Sequence, residues 1–186
     1  AATELEDVYD QMLEIGEITC QRPGASAAVK RMRTNMAALV EEQIGKAITA
    51  LIDRDVELCK GVIRGDQPIN TMELEIDELC IRLLALQHPI ARDLRFVSAS
   101  MKITIDLERM GDIAVNIAKK TKKLVGLPNL KPLIDIPQMA DLAQAMVKDS
   151  LNAFVRGDDQ LAMQVCTRDD EVDQLQDQIL REMLVY

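Results

Sequence analysis

The chain has no tryptophan, two phenylalanines, two tyrosines, one histidine and four cysteines in 186 residues. Each scarcity excludes a class of chemistry. Stacking on single-stranded nucleic acid needs aromatic platforms, and phosphate neutralisation needs a Lys/Arg surface; a net charge of −9 supplies neither, so no nucleic-acid partner is expected. A solitary histidine, His88, cannot build the paired Glu-x-x-His motifs of di-iron bundle enzymes, and hydrolase triads lack their base. Cys20, Cys59, Cys80 and Cys166 form no C-x-x-C and sit among apolar neighbours, which reads as reduced, mostly buried thiols rather than a zinc or iron–sulfur site. No glycine-rich phosphate loop is present. No apolar run approaches the roughly 18 residues that span a bilayer, so direct membrane insertion is not expected.

What is present is aliphatic and helical. Hydrophobic residues make up 48% while aromatics make up 2%, so the core must be Leu, Ile, Val, Met and Ala, the palette of helix bundles. Nothing alternates with the period of two that a strand requires. Residues 4–18 place Leu5, Val8, Met12 and Ile15 at helical spacing, and Pro23-Gly24 closes that segment. One long pattern runs from about 26 to 64, with Met32, Met36, Leu39, Gln43, Ala47, Ala50 and Leu51 on one face. Gly65-Asp66 breaks it. Residues 69–87 form the next helix through Ile69, Met72, Ile76, Leu79 and Leu83. His88-Pro89 interrupts, because proline biases its predecessor away from the helical region, and residues 90–125 form another long helix. The Pro-rich stretch 126–137 is a linker, and 138–156 and 160–184 are the last two helices.

An internal repeat organises these pieces. VIRGD at 62–66 answers FVRGD at 154–158, an offset of 92. Glu75-Ile-Asp77-Glu78-Leu79 answers Glu171-Val-Asp173-Gln174-Leu175, an offset of 96. The difference is about one helical turn and keeps the faces aligned. The expected architecture is all-α, with tandem three-helix repeats: residues 1–25 as an N-terminal amphipathic segment, 26–125 as the first repeat, 126–137 as linker, and 138–186 as a second repeat truncated to two helices.

Acidic pairs at i,i+4 number seven, at 6/10, 10/14, 53/57, 73/77, 108/112, 169/173 and 173/177. Random placement of the chain's acids gives about five, on helices where such spacing is ordinary, so position matters more than number. Glu73/Asp77 and Asp169/Asp173 occupy corresponding places in the two copies, and Glu108/Asp112 lies on the next helix of the first. Glu108 and Asp112 point the same way and could share a hard or borderline cation through carboxylate oxygens, with Arg109 and Lys102 as competing partners. Gly111, mid-helix between them, implies a close approach by another backbone or a cluster.

The stretches LVEEQIGKAITALIDRD (39–55), IRLLALQHPIARDLR (81–95) and KITIDLERMGDIAVNIA (102–118) resemble the PhoU family, and LKPLIDIP and CTRDDEVDQLQDQILREML (166–184) continue the likeness. The resemblance covers about 30–186 and is most specific in D-L-E-R-x-G-D-x-A-x-N-I. It implies two three-helix repeats whose Glu/Asp-x-x-x-Asp motifs hold metal, here Glu73, Asp77, Glu108 and Asp112 with Asn116 beside them, and Asp169 and Asp173 in the second repeat. The metal would be iron, zinc, magnesium or manganese. It further implies a cytoplasmic, non-enzymatic homodimer that couples a phosphate ABC transporter ATPase to a sensor histidine kinase and represses phosphate-starvation genes. Alternatives are an accessory protein of another phosphate permease, a carboxylate-metal phosphoesterase, or a dimerisation module with merely solubilising acids. Asp93, Arg95 and Lys102 also match shared positions and are assigned to the scaffold. The sixth helix of the pattern does not appear, and Glu6/Asp10 on residues 4–18 has the spacing to stand in for its motif.

Overall fold

A computed structural model describes residues 23–87, 89, 91–128 and 135–184. Six helices follow in order: α1 (Pro23–Asp53), α2 (Val56–Arg64), α3 (Gln67–Gln87), α4 (Ala91–Leu124), α5 (Asp135–Arg156) and α6 (Asp159–Met183). The described residues contain no strand. The N-terminal segment 4–18, with its proposed stand-in role, lies outside them, as do Cys20 and His88.

The apolar stripes read from the sequence face inward. Met36, Gln43, Ala47 and Ala50 of α1 are buried, and so are Ile69, Ile76 and Leu83 of α3. They close on Phe96, Val97, Ile103 and Leu107 of α4. A smaller cluster of Ala47, Ala50, Cys59, Val62, Ala114 and Ala118 fixes α2 between α1 and α4. Small side chains there let three helices approach closely. Burial pushes the Cys80 thiol up to about 11 and also raises that of Cys59. Among the described residues no helix is long and apolar enough to cross a membrane.

The single long helix expected from 26 to 64 is in fact two. Arg54 adopts a left-handed φ of 55°, and the Asp55 amide donates to Ala50 O at 3.1 Å, a Schellman closure. Asp55 Oδ1 then accepts from the Glu57 and Leu58 amides at 2.8 and 3.0 Å and starts α2. The same device recurs between α5 and α6. Gly157 has φ 64°, the Asp158 amide donates to Ala153 O at 3.0 Å, and Asp158 Oδ1 accepts from the Leu161 amide at 2.9 Å. From Arg54 to Gly157 the offset is 103.

Burial follows that offset: Ala50 and Ala153, Cys59 and Ala162, Val62 and Val165 are all buried. The structural repeat therefore sits at 103, not at the 92 to 96 read from matching letters. Arg64-Gly65-Asp66 corresponds to Thr167-Arg168-Asp169, inside α6, where the second copy runs through without a break. Gly65, at φ −73°, makes a different turn from Gly157 although the letters agree.

The two-residue turn makes α5 and α6 an antiparallel hairpin, and α5 lies on α1. The seam is Phe154 of α5 stacked on Phe96 of α4, with ring centroids 5.7 Å apart and planes 17° apart. The Arg33 guanidinium lies 4.2 Å from the Phe154 centroid and 5.9 Å from that of Phe96. Arg33 Nη1 donates to Ser100 Oγ at 3.3 Å. Beyond Val165 no residue of α6 is buried.

Replacing Phe154 with Ala should lower stability by about 3 kcal/mol or more, and replacing it with Leu by about 1 kcal/mol, in urea titrations followed by helical circular dichroism. Equal losses would show that filled volume, and not the ring stack, secures the seam.

Candidate metal centre

The acids expected to hold metal divide into three groups. Glu73 and Glu108 face one another across the α3–α4 seam, both half-buried, and Asp112 is exposed one turn beyond Glu108. The Glu108 carboxyl is held above its usual range, first by partial burial and then by the charges of Asp112, Glu73 and Asp66. Arg109 opposes that shift least effectively, being engaged with Asp106 at 3.7 Å. Asp77 lies one turn past Glu73 and acts on Cys80; Asn116 is exposed one turn past Asp112. Neither is among the groups acting on Glu108. Asp169 (half-buried) and Asp173 (exposed) stand on α6, and no residue of that helix acts on Glu108.

The reading by sequence missed two residues, Asp66 and Asn70. Asp66 follows the Gly65 turn, and its backbone carbonyl accepts from the Ile69 and Asn70 amides at the start of α3. Its Oδ2 accepts from Asn70 Nδ2 at 3.2 Å, while Asp66 Oδ1 and Asn70 Oδ1 are buried with no hydrogen-bond partner. Buried oxygens without donors are costly, about 1–3 kcal/mol each, unless something positive reaches them. Gly111 makes room for that of Asp66. A Cβ there would lie 3.2 Å from Ile69 Cδ1 and 3.6 Å from Asp66 Oδ1, so the close approach comes from these two side chains and not from backbone. At the structural offset, Asp169 and Asp173 correspond to Asp66 and Asn70. The signal was present at i,i+4, but a search for acids alone passes over Asp-x-x-x-Asn.

The donors fit a hard cation. All are carboxylate or amide oxygens, the local charge is strongly negative, and the orphaned Asp66 Oδ1 lies buried beside Gly111. Among the described residues no three His, Cys, Asp or Glu side chains converge tightly enough to cage an ion as they lie.

The charge crowding has a sign that can be checked. Because the Glu108 carboxyl is raised in the folded chain, the stability it contributes is present below the ordinary carboxylate range and lost as pH rises through and above it. Glu108→Gln should raise the melting temperature near pH ~7 and leave it unchanged near pH ~4 in metal-free buffer. A variant that melts lower at both pH values would contradict the crowding.

Comparison with known proteins gives one answer. Residues 34–121 and 136–186 match the family model described as "PhoU domain", and the two segments begin 102 residues apart, close to the structural offset. A phosphate-specific transport system accessory protein PhoU homolog of Aquifex aeolicus is 44% identical over 157 residues, covering 84% of this chain and 71% of that protein. The corresponding protein of Escherichia coli K12 is 35% identical over 164 residues, covering 87% and 68%. The crystal structure of PhoU from Pseudomonas aeruginosa superposes with a TM-score of 0.83 at 36% identity, covering 89% of this chain and 80% of that one. PhoU from Streptococcus pneumoniae, a phosphate transport system regulatory protein, gives 0.79 at 33%, covering 86% and 75%. The chain belongs to the PhoU family.

Proposed function

We propose that this chain is a cytoplasmic, non-enzymatic accessory protein of a phosphate-specific transport system, whose conformation is set by a cation bound between α3 and α4. The relatives' names support the accessory role in phosphate transport. The observation that carries the bound cation is the pair of partnerless buried oxygens of Asp66 and Asn70 beside the raised carboxyl of Glu108.

Asp66, Asn70, Glu73, Glu108 and Asp112 would hold the ion; Asp77 and Asn116 stand one turn outside and would orient solvent or a second ion. Asp169 and Asp173 would form the corresponding half-site of the second repeat. Iron, zinc, magnesium or manganese accept such oxygens, with magnesium and manganese suited to an all-oxygen set. The ion supplies charge neutralisation. It removes the repulsion among four carboxylates and draws the Gly65-Asp66 turn against Gly111. That turn is where the first repeat departs from the second, so its order changes the surface the bundle presents. The proposed readers of that surface are the ATPase of the phosphate transporter and a sensor histidine kinase, with the chain acting as a homodimer.

Elemental analysis after dialysis against each of the four metals, combined with capture of the transporter ATPase and the kinase, tests the reading. Wild type should retain metal stoichiometrically. Glu108→Ala with Asp112→Ala, and separately Asp66→Ala, should lose it while keeping full helicity. Partner capture should then change at least tenfold between metal-loaded and metal-free protein, a shift of about 1.4 kcal/mol. Unchanged capture in a metal-free variant would make the ion structural, and metal retention by both variants would remove the site.

A further inference from the structure

One end of the bundle carries a charge opposite to the rest. The last turns of α4 hold Lys119, Lys120, Lys122 and Lys123, all exposed, in a chain of net charge −9. Among the described residues none of the four has an ion-pair partner. At 100° per residue they fan over about 160° of the helix circumference. The helix ends on an exposed leucine, Leu124 at 43% relative exposure, and Leu127 in the turn after it is 55% exposed.

This end is built and not frayed. Arg54, in its left-handed conformation at the α1–α2 break, donates from Nη1 to the Leu127 carbonyl at 2.6 Å, tying the turn after α4 to the bundle. A left-handed arginine is sterically unfavourable. Here it sets a fifth cationic side chain at the same end. Of the acids nearby, Glu57 is paired with Lys60 at 2.7 Å and Asp55 caps α2. Asp53 is exposed.

We infer that this tip docks on a bilayer surface bearing anionic lipid. Lysines spread over an arc suit mobile, diffuse negative charge better than one fixed acidic pocket, which wants directional pairing. Leucines at the end of the same helix can enter the headgroup boundary while lysine stems extend around them. The negative remainder of the chain orients the molecule tip-first toward such a surface. The inference does not depend on metal binding, and its failure would leave that reading intact.

Co-sedimentation of the full chain with phosphatidylcholine vesicles, with or without about one third phosphatidylglycerol, is the test. Wild type should bind the anionic vesicles, fail to bind phosphatidylcholine alone, and release as salt is raised. Each lysine near an anionic leaflet contributes about fivefold to partitioning, so Lys122→Gln with Lys123→Gln should weaken binding more than tenfold. Leu124→Ser with Leu127→Ser should weaken it further, while Lys148→Gln on α5 should change nothing. Melting curves confirm that each variant is folded, and the salt titration of wild type stands without any variant. Equal binding to both vesicle types, absence of binding at low salt, or an unaffected lysine variant would overturn the inference. So would a lysine variant that still binds vesicles but loses the lipid-free transporter ATPase, since the tip would then be a protein contact.

Discussion

The Arg33 guanidinium is 1% exposed, and among the described residues no carboxylate pairs with it. Burial pulls it down to about 10, with the neighbouring Cys80 opposing, so it remains charged at neutral pH. A buried cation of this kind would be several kcal/mol too costly in a purely aliphatic core. The faces of Phe154 and Phe96 supply attraction without bringing a second desolvated charge. Ser100 Oγ accepts from Nη1, and Nη2 finds no acceptor. The chain's two phenylalanines are thus both used at one point, the seam between the first bundle and the α5–α6 hairpin. Without it α5 would rest on α1 through aliphatic contacts that do not fix an angle. The placement of the second repeat depends on this sandwich.

The acids between α3 and α4 show the opposite arrangement, with like charges gathered and cations directed elsewhere. Arg109 goes to Asp106, and Arg82 goes to Glu78 on the solvent side of α3. Arg168 pairs with Asp149 at 2.6 Å across the hairpin, beside Asp169. In the second repeat a cation therefore stands at the position equivalent to Gly65, where the first repeat has no side chain at all. In the first repeat the neighbouring acids raise the Glu108 carboxyl, and no residue of α6 contributes to that crowding.

Helix content and core faces were legible because aliphatic periodicity is a summed signal over many residues. Met36, Ala47 and Ala50, like Ile69, Ile76 and Leu83, were read correctly as one-sided stripes. The break at Arg54 was not. Helix ends of this type usually advertise themselves with glycine, and here an arginine takes the left-handed position with only Asp55 to mark it. The repeat was found but misregistered, because identical letters at Arg64-Gly65-Asp66 and Arg156-Gly157-Asp158 outweighed the quieter equivalence of buried Ala50 with Ala153 and Val62 with Val165. The matching letters make different turns, whereas the burial pattern marks the equivalent places. Misregister then hid Asp66 and Asn70, since their partners in the second copy, Asp169 and Asp173, had been assigned to Glu73 and Asp77.

The long helix α4 joins the three features. Phe96 and Ser100 belong to the arginine sandwich, Glu108 and Asp112 to the acid cluster, and Lys119 to Lys123 to the basic tip. From Asp112 to the nearest of those lysines is seven residues, about 10 Å at 1.5 Å each, and to the farthest about 16 Å. The Debye length at physiological salt is about 8 Å, so neutralising the acids alters the field at the tip only weakly. Coupling between them has to pass through packing. The path exists: Gly111 bears on Ile69, Ile69 lies in the core with Phe96 and Phe154, and α4 itself is a continuous rod. On the proposed function, a charge change at Glu108 would reach the rest of the bundle through the fit of Ile69 against Gly111 and not through long-range electrostatics.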